Sequence, residues 1–320
     1  MDPVTFEDVV AARRVIDGRV HRTPLLSASA LGGMAQPPVR LFLKAETLQK
    51  TGAFKVRGAL NKMAGLSAEQ KGRGLITVSA GNHAQAVAWS AAAEGIPATV
   101  VMVETAVRSK VEATRGYGAE VIQYGTSMAG IFEYAHQLER ERGLLFIPPF
   151  DDPYIIAGQG TVGLEILEDL PDPDVVIAPC GGGGLASGVA IAIKAQRPQT
   201  RIVLVEPEGA AAMRRSWDAG KPVALEGINT IADGLSAPFA GELTYPLTRR
   251  YVDDAVLVSD AEIIQAMGLI LERCKLLAEP AAAAGVAALL SGKVQAPEGA
   301  KVVAILSGGN VDRERLKNLI

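Results

Sequence analysis

The sequence predicts an α/β protein of two lobes, each built on a mostly parallel sheet flanked by helices. Three observations carry this prediction. Short β-branched apolar runs alternate with longer segments of helical spacing along most of the chain. These runs are continuously apolar, which is typical of strands covered on both faces. The length of 320 residues is enough for two such layers, joined by right-handed crossovers.

The first block of this alternation defines the smaller lobe. Its predicted strands lie at residues 75–78, 98–103, 120–124 and 144–147, with helices between them at 84–94, 108–117 and 128–142. A polar turn at 150–153 marks the return of the chain, and further strands follow at 174–178, 201–206 and 301–306. We therefore predict a small domain of residues 73–148, inserted in a large domain of residues 1–72 and 149–320. Ligands of such sheets lie beyond the carboxyl ends of the strands, so the site is expected in the cleft.

Charge and cysteine content exclude several classes of function. The net charge of −3 and the pI near 5.8 argue against nucleic acid or a membrane surface as the main partner. Two cysteines cannot form a disulfide framework, which fits a reducing compartment. The N-terminus lacks the apolar segment of a signal peptide. We expect a cytoplasmic protein with a small-molecule partner.

Four consecutive glycines, Gly181, Gly182, Gly183 and Gly184, lie between a predicted strand and a predicted helix at 185–196. Their backbone N–H groups can point at an anion beside the positive end of that helix. No Lys-Ser or Lys-Thr follows, and the spacing is not that of a dinucleotide-binding loop. A single phosphate is the ligand that fits best. The alternative is close packing of helix on sheet.

Lys55 is the candidate nucleophile. It follows Phe54 in an apolar stretch, which would desolvate the amine, lower its pKa and favour its neutral form. We expect Thr51 and Gly52 to open the helix that carries it. The alternative is an ordinary solvated lysine.

A polar turn, Ser79-Ala-Gly-Asn-His83, follows the strand at 75–78 and precedes a helix. Its N–H groups and hydroxyl can hold a carboxylate at the start of that helix. Asn82 can donate to an oxygen on a ring, whereas His83 is more often packed than basic. The three histidines show no metal-ligand spacing.

Six segments in the same order resemble one family of enzymes. They are Thr51–Gly58, Ser79–Gln85, Pro149–Pro153, Ala157–Thr161, Gly181–Leu185 and Ser307–Asn310. The sequence resembles the serine/threonine dehydratases, fold-type II pyridoxal-phosphate enzymes with a tryptophan synthase β-like fold, a family that also contains serine racemase. The resemblance implies a pyridoxal 5'-phosphate cofactor, an amino-acid substrate and a homodimer. It also implies that the large domain binds the cofactor and that the small one lies on the substrate side.

The resemblance also implies roles for individual residues. Lys55 would be the Schiff-base lysine and the catalytic base, with Phe54 beside the cofactor ring. The remaining cofactor-binding residues would be Asn82 at the ring hydroxyl oxygen, Gly181, Gly182, Gly183, Gly184 and Leu185 at the phosphate, Ser307 at the pyridine nitrogen and Glu279 near the ring. Those around the substrate carboxylate would be Ser79, Ala80, Gly81, Asn82 and His83.

Two departures from the family pattern refine the prediction. Serine racemase has a serine at the position of Ala80, where it moves a proton on the face opposite the lysine, and a methyl group cannot do this. Some members bind a divalent cation through residues matching Glu206, the carbonyl of Ala210 and an aspartate. Ala212 stands at the aspartate position here, so we predict no metal.

The predicted reaction is β-elimination of water from L-threonine, and from L-serine, giving 2-oxobutanoate or pyruvate and ammonia. Only ten residues follow Asn310, so we expect the short form, without a regulatory domain. The alternatives are a serine-directed or other β-hydroxy-amino-acid dehydratase, and then serine racemase. A two-lobed solute-binding protein is the alternative of a different class, and it would leave Lys55 and the glycine run unexplained.

Overall fold

The computed structural model describes residues 3–320. The ten strands are β1 (Leu25–Ser27), β2 (Arg40–Ala45), β3 (Leu75–Val78), β4 (Ala98–Met102), β5 (Glu120–Gln123), β6 (Leu145–Phe146), β7 (Val175–Pro179), β8 (Arg201–Pro207), β9 (Asp254–Val258) and β10 (Lys301–Leu306). In the described residues they form two sheets, one of six strands in the order β1-β2-β10-β7-β8-β9 and one of four in the order β5-β4-β3-β6.

The α-helices of the described residues are α1 (Phe6–Ile16), α2 (Ser29–Gly32), α3 (Lys55–Ala64), α4 (Ala68–Arg73), α5 (Asn82–Ala93), α6 (Arg108–Gly116), α7 (Met128–Arg142), α8 (Pro153–Asp169), α9 (Gly184–Gln196), α10 (Ala212–Ala219), α11 (Thr244–Tyr251), α12 (Asp260–Leu269), α13 (Pro280–Leu290) and α14 (Arg313–Leu319). Short 3-10 turns lie at Glu46–Leu48, Lys50–Gly52, Glu208–Ala210 and Asp233–Leu235, and a π-turn at Ile270–Cys274.

All strand pairings within the two sheets are parallel except that of β1 with β2. The predicted α/β class, with mostly parallel sheets flanked by helices, is therefore confirmed. The four-stranded sheet is built from residues 75–146. The division into an inserted small domain and a large domain remains a prediction.

The sequence prediction missed three strands of the six-stranded sheet, β1, β2 and β9. Two of them, β1 and β9, are the edge strands, and β1 has only three residues. β2 is interrupted by charged residues, Arg40 and Lys44, which break the continuous apolar pattern of a buried strand. Lys44 is nevertheless fully buried.

Apolar layers cover both faces of the six-stranded sheet. On one face, α13 contributes an almost continuous row of buried residues, most of them alanines. On the other, α8 packs against α9 and α3, and the side chains of α9 lie over β7 and β10. Continuous burial of β7 and β10 is the expected result of covering a parallel sheet twice. No helix within residues 3–320 combines the length and apolar character needed to cross a membrane.

A buried ion cluster of Lys44, Glu46, Arg57 and Glu165 ties α3 to β2 and α8. The Arg57 guanidinium donates to Glu46 at 2.8 Å and to Glu165 at 2.7 Å, and Lys44 Nζ lies 2.6 Å from Glu165. All four side chains are at most 1% exposed. The forked geometry satisfies several donors of Arg57 at once, so the cluster fixes the position of α3.

Candidate active site

Lys55 is the first residue of α3, and the loop before it is more irregular than the sequence predicted. Thr51 and Gly52 do not open the helix but belong to a separate 3-10 turn. Thr51 has φ of 60°, in the left-handed region that β-branched residues rarely adopt. Phe54 N then donates to the carbonyl oxygen of Ser307 at 3.0 Å. This bond places the start of α3 beside the end of β10.

The Lys55 amine is desolvated, and no carboxylate among residues 3–320 lies at hydrogen-bonding distance from it. Its Nζ donates to the carbonyl oxygen of Pro149 at 2.7 Å and lies 5.3 Å from the centre of the Phe54 ring. Burial lowers the pKa of Lys55 to about 8, while the more distant Glu279 acts in the opposite direction. About a tenth of the amine is therefore neutral at pH 7 and about half at pH 8, and this neutral form is the nucleophile.

The glycine run lies where the sequence predicted it, between β7 and α9. Gly183 has φ of 92° and caps α9, which begins at Gly184. A side chain at Gly182 would collide with the ring of Phe150, so only glycine permits this close approach. Thr244 Oγ1 donates to the Gly182 carbonyl at 2.6 Å, and this hydrogen bond holds the loop in place. The loop and the start of α9 form an anion cradle, and Leu185 anchors it in the core.

The polar turn 79–83 begins after β3 and runs into α5. Gly81 N donates to Ser79 Oγ at 3.1 Å, and Asn82 is the first residue of α5. His83 is buried, with Nε2 3.2 Å from the Ile147 carbonyl oxygen. Burial, aided by Lys55, lowers the pKa of His83 to about 3, so its imidazole stays neutral. Only the backbone of His83 is then available to a ligand at this helix start.

Asn82 and Glu279 meet beside the segment that follows β10. Asn82 Nδ2 lies 2.6 Å from Glu279 Oε1, and Glu279 N donates to the carbonyl oxygen of Gly308 at 3.0 Å. Burial raises the pKa of Glu279 to about 7. Ser307 follows the last residue of β10 and is 3% exposed. The structure thus brings Asn82 and Glu279 together beside Ser307, at the end of β10.

These residues fit a pyridoxal phosphate group. The glycine cradle offers backbone amides to one phosphate, and Lys55 offers an amine of lowered pKa. The buried hydroxyl of Ser307 and the amide of Asn82 are neutral partners for a ring nitrogen and a ring oxygen. The sequence reasoning missed Thr244, which no motif signals, and gave no role to Asn310 of the Ser307–Asn310 segment.

Glu206 has a structural explanation that needs no cation. Its two carboxylate oxygens accept from the backbone N–H groups of Met213 and Arg214 at 2.8 and 2.7 Å, capping α10. Burial raises the pKa of Glu206 to about 8. Within the part of the chain that the structure describes, no three His, Cys, Asp or Glu side chains cluster as metal ligands.

Comparison with known proteins agrees with this geometry. Residues 16–308 match the family model described as pyridoxal-phosphate dependent enzyme, and the chain belongs to this family. Its cofactor is therefore pyridoxal phosphate. The chain is 45% identical to the L-threonine ammonia-lyase of Thermotoga maritima over 99% of its own length and 78% of that protein.

Two solved structures are similar over nearly the whole chain. Maize serine racemase superposes with a TM-score of 0.93 at 42% identity, covering 98% of this chain and 96% of that one. The threonine deaminase of T.th. superposes with a TM-score of 0.90 at 44% identity, covering 96% of this chain and 99% of that one. The family match favours an enzyme over a solute-binding protein.

Proposed function

We propose that this protein is a threonine ammonia-lyase that removes water from L-threonine, and from L-serine, to release a 2-oxo acid and ammonia. The observation that carries the proposal is Lys55, a desolvated amine with a pKa of about 8 at the start of α3. Its Nζ donates to the carbonyl oxygen of Pro149, and the next residue, Phe150, packs against Gly182 of the glycine run. The L-threonine ammonia-lyase of Thermotoga maritima, similar over 99% of this chain, supports the choice of substrate.

Each part of the site has a proposed role in holding the cofactor. Lys55 would bind it covalently, with Phe54 against its ring. The backbone from Gly181 to Leu185 would hold the phosphate, and Asn82 would donate to the ring hydroxyl oxygen. Ser307 would face the ring nitrogen and Glu279 would lie near the ring. When bound, the cofactor supplies an electron sink for the substrate Cα.

The chain's own groups then handle the substrate. Ser79 and the N–H groups of Ala80 to His83 would hold the carboxylate at the start of α5, where the helix dipole favours an anion. Once released from the cofactor, Lys55 would remove the proton from the substrate Cα as general base. Ala80 presents only a methyl group, so it cannot supply a proton on the opposite face.

Ser307 suits this reaction for an electrostatic reason. A hydroxyl is too weak an acid to protonate a ring nitrogen fully, so it acts mainly as a hydrogen-bond partner. Elimination needs less negative charge on the ring than transamination does, because the leaving hydroxyl carries the electrons away. A serine at this position therefore favours loss of water.

Serine racemase is the second candidate, because maize serine racemase superposes with a TM-score of 0.93. Ala80 discriminates between the two functions. The wild-type protein and the Ala80→Ser variant are incubated with L-serine, and pyruvate release is followed together with chiral chromatography of the remaining serine. We expect little D-serine from the wild type and a higher ratio of racemisation to elimination in the variant. Equal rates of D-serine and pyruvate from the wild type would favour the racemase.

The proposed function has a direct test. The protein is incubated with L-threonine, and 2-oxobutanoate and ammonia are quantified. In parallel, borohydride reduction followed by peptide mass spectrometry locates the bound cofactor. We expect equal amounts of the two products and cofactor mass on the Lys55 peptide. Attachment to another lysine, or no 2-oxobutanoate, would contradict the proposal.

The organisation of the protein is proposed on the same basis. We infer a cofactor-binding domain of residues 1–72 and 149–320 and a substrate-side domain of residues 73–148. The four-stranded sheet of residues 75–146 supports this division. We also propose a homodimer, from the resemblance to the dehydratases, and a cytoplasmic location, from the cysteine content.

A further inference from the structure

Asn310 lies beside Asn82 in the candidate site. It lies three residues after Ser307 and is partly exposed. Its amide nitrogen Nδ2 makes two hydrogen bonds. One goes to the carbonyl oxygen of Thr51 at 2.7 Å and the other to Oδ1 of Asn82 at 2.8 Å.

These two bonds determine which way both amides face. The Thr51 carbonyl can only accept, so the Asn310 atom that faces it must be the nitrogen. That nitrogen can only donate, so the Asn82 atom at 2.8 Å must be the oxygen. The Asn82 nitrogen is therefore the atom that points the other way. The two ends of the Asn82 amide have nearly the same shape, so its orientation is determined by hydrogen bonding. Here the Thr51 carbonyl orients Asn310, and Asn310 orients Asn82.

Glu279 cannot determine this orientation by itself. Its Oε1 lies 2.6 Å from Asn82 Nδ2 and accepts a hydrogen bond there. However, burial raises the pKa of Glu279 to about 7, so near neutral pH both protonation states are populated. A protonated carboxyl group can donate to an amide oxygen as well as accept from an amide nitrogen. Glu279 therefore tolerates either face of Asn82.

Thr51 is held in position to act as the fixed acceptor. Its φ of 60° lies in the left-handed region, which is strained for a β-branched residue. Gly309 N donates to the carbonyl oxygen of Gly52 at 2.9 Å, which joins this turn to the segment that carries Asn310. Two hydrogen bonds therefore hold the Thr51 carbonyl toward Asn310, one at Gly52 O and one at Thr51 O itself.

We propose that Asn310 is a positioning residue that fixes the polarity of the Asn82 amide, so that Asn82 presents its N–H group, not its oxygen, to the ring oxygen of the cofactor. This inference rests on the proposed role of Asn82. Asn310 would not contact the reacting atoms and acts only through Asn82.

Two substitutions of Asn310 separate polarity from packing. Asn310→Asp keeps the size and shape but cannot donate, so Asn82 turns its nitrogen toward Asp and its oxygen toward the cofactor. Asn310→Ala removes shape and donor together and leaves Asn82 free to take either orientation. We expect the cofactor dissociation constant, from absorbance titration, to rise about ten- to a hundredfold in Asn310→Asp. In Asn310→Ala we expect a smaller rise, about three- to tenfold.

The thermal unfolding midpoint of the cofactor-free protein is measured for the same variants. A packing role predicts the reverse order, with Asn310→Ala weaker in cofactor binding than Asn310→Asp. That order, or equal dissociation constants for the two variants, would overturn the proposal. Asn318→Asp adds the same charge at an exposed position of α14 and serves as the matched control, with unchanged cofactor affinity expected.

A double-mutant cycle tests whether Asn310 acts through Asn82. The dissociation constant is compared in Asn82→Ala, in Asn310→Asp and in the double variant. If polarity is the cause, Asn310→Asp has little further effect once Asn82 is alanine. If the added charge itself repels the cofactor, its effect persists in the Asn82→Ala background and the proposal is wrong.

Cofactor attachment in the wild type distinguishes failure of this inference from failure of the proposed function. Failure of the wild type to attach cofactor at Lys55 would contradict the proposed function. A wild type that attaches cofactor normally, together with an Asn310→Asp variant of equal affinity, would contradict this inference alone.

Discussion

The first turn of helix α3 carries two basic residues, Lys55 and Arg57, whose surroundings shift their pKa values in opposite directions. Burial alone would lower the pKa of Arg57, but Glu46 and Glu165 raise it above its ordinary value. Burial alone would raise the pKa of Glu165, but Arg57 and Lys44 hold it below its ordinary value. In the part of the chain that the structure describes, no carboxylate lies at hydrogen-bonding distance from Lys55, and burial lowers the pKa of its amine to about 8.

The contrast shows how one short helix provides both rigidity and reactivity. Charges buried with partners stay charged and fix the backbone, whereas a charge buried without a close partner is driven toward its neutral form. The ion cluster therefore holds α3 while the first turn of the same helix presents a nucleophile. Four substitutions test this separation.

Lys55→Ala should abolish cofactor attachment and lower 2-oxo-acid formation by at least about a thousandfold, because one amine serves as both anchor and base. Product release is measured with L-threonine, and cofactor content by absorbance. The cofactor-free variant should unfold at a temperature no lower than that of the wild type, because a desolvated amine is removed. Near-normal turnover would contradict the assignment of Lys55.

Arg57→Met should have the opposite pattern, with its main effect on the stability of the protein. It leaves Glu46 and Glu165 buried without their main partner, so the free energy of unfolding should fall by about 3–5 kcal/mol. Urea unfolding of the cofactor-free protein measures this change. Arg57→Lys is the control, because it keeps the positive charge but loses the forked guanidinium. Its free energy of unfolding should lie between those of the wild type and Arg57→Met. An unchanged unfolding free energy would show that the ion cluster does not hold α3.

The two regions also differ in how well the sequence predicts them. The glycine run, Lys55 and the turn at 79–83 were identified because each depends on local chemistry between a strand and a helix. The burial of Lys44 could not be identified in this way. It depends on Glu165, which lies 121 positions away in the chain and becomes a neighbour only after folding.

Strand β2 was missed for the same reason. Arg40 and Lys44 interrupt its apolar pattern, although five of its six positions are buried or partly buried. The contact of Asn310 with Thr51 spans 259 positions, so the sequence shows the residue but not its role. Local patterns therefore predicted the fold class, the glycine run, Lys55 and the turn at 79–83. The roles of Ser307 and Glu279 came from the family resemblance, and long-range polar pairing could not be predicted.

Ser307→Ala tests a neutral group on the reactive side. If the cofactor ring nitrogen faces Ser307, the alanine variant leaves it without a hydrogen-bond partner, which costs about 1–3 kcal/mol. The cofactor dissociation constant should rise about five- to a hundredfold, with slower elimination and little change in unfolding of the cofactor-free form. Ser216→Ala removes another buried serine hydroxyl, bonded to Ala212 O at 2.7 Å, and should leave cofactor affinity unchanged. Equal affinities of Ser307→Ala and wild type would show that Ser307 does not face the ring.

The mildest substitution concerns the distant charge that acts on Lys55. Lys55 attacks the cofactor only as a neutral amine, so the rate of cofactor incorporation should rise with pH through about 8. Glu279, with a pKa of about 7, is mostly ionised over that range, and its negative charge raises the pKa of Lys55. Glu279→Gln keeps an acceptor for Asn82 but removes the charge, so the pKa of Lys55 should fall further. The midpoint of the pH profile should then move to lower pH by up to about one pH unit. Absorbance of the attached cofactor, followed from about pH 6 to pH 10, measures this midpoint.

Glu242→Gln neutralises an exposed carboxylate and should leave the midpoint in place. A midpoint that stays put in Glu279→Gln as well would mean that Glu279 remains protonated, and that desolvation alone sets the reactivity of Lys55.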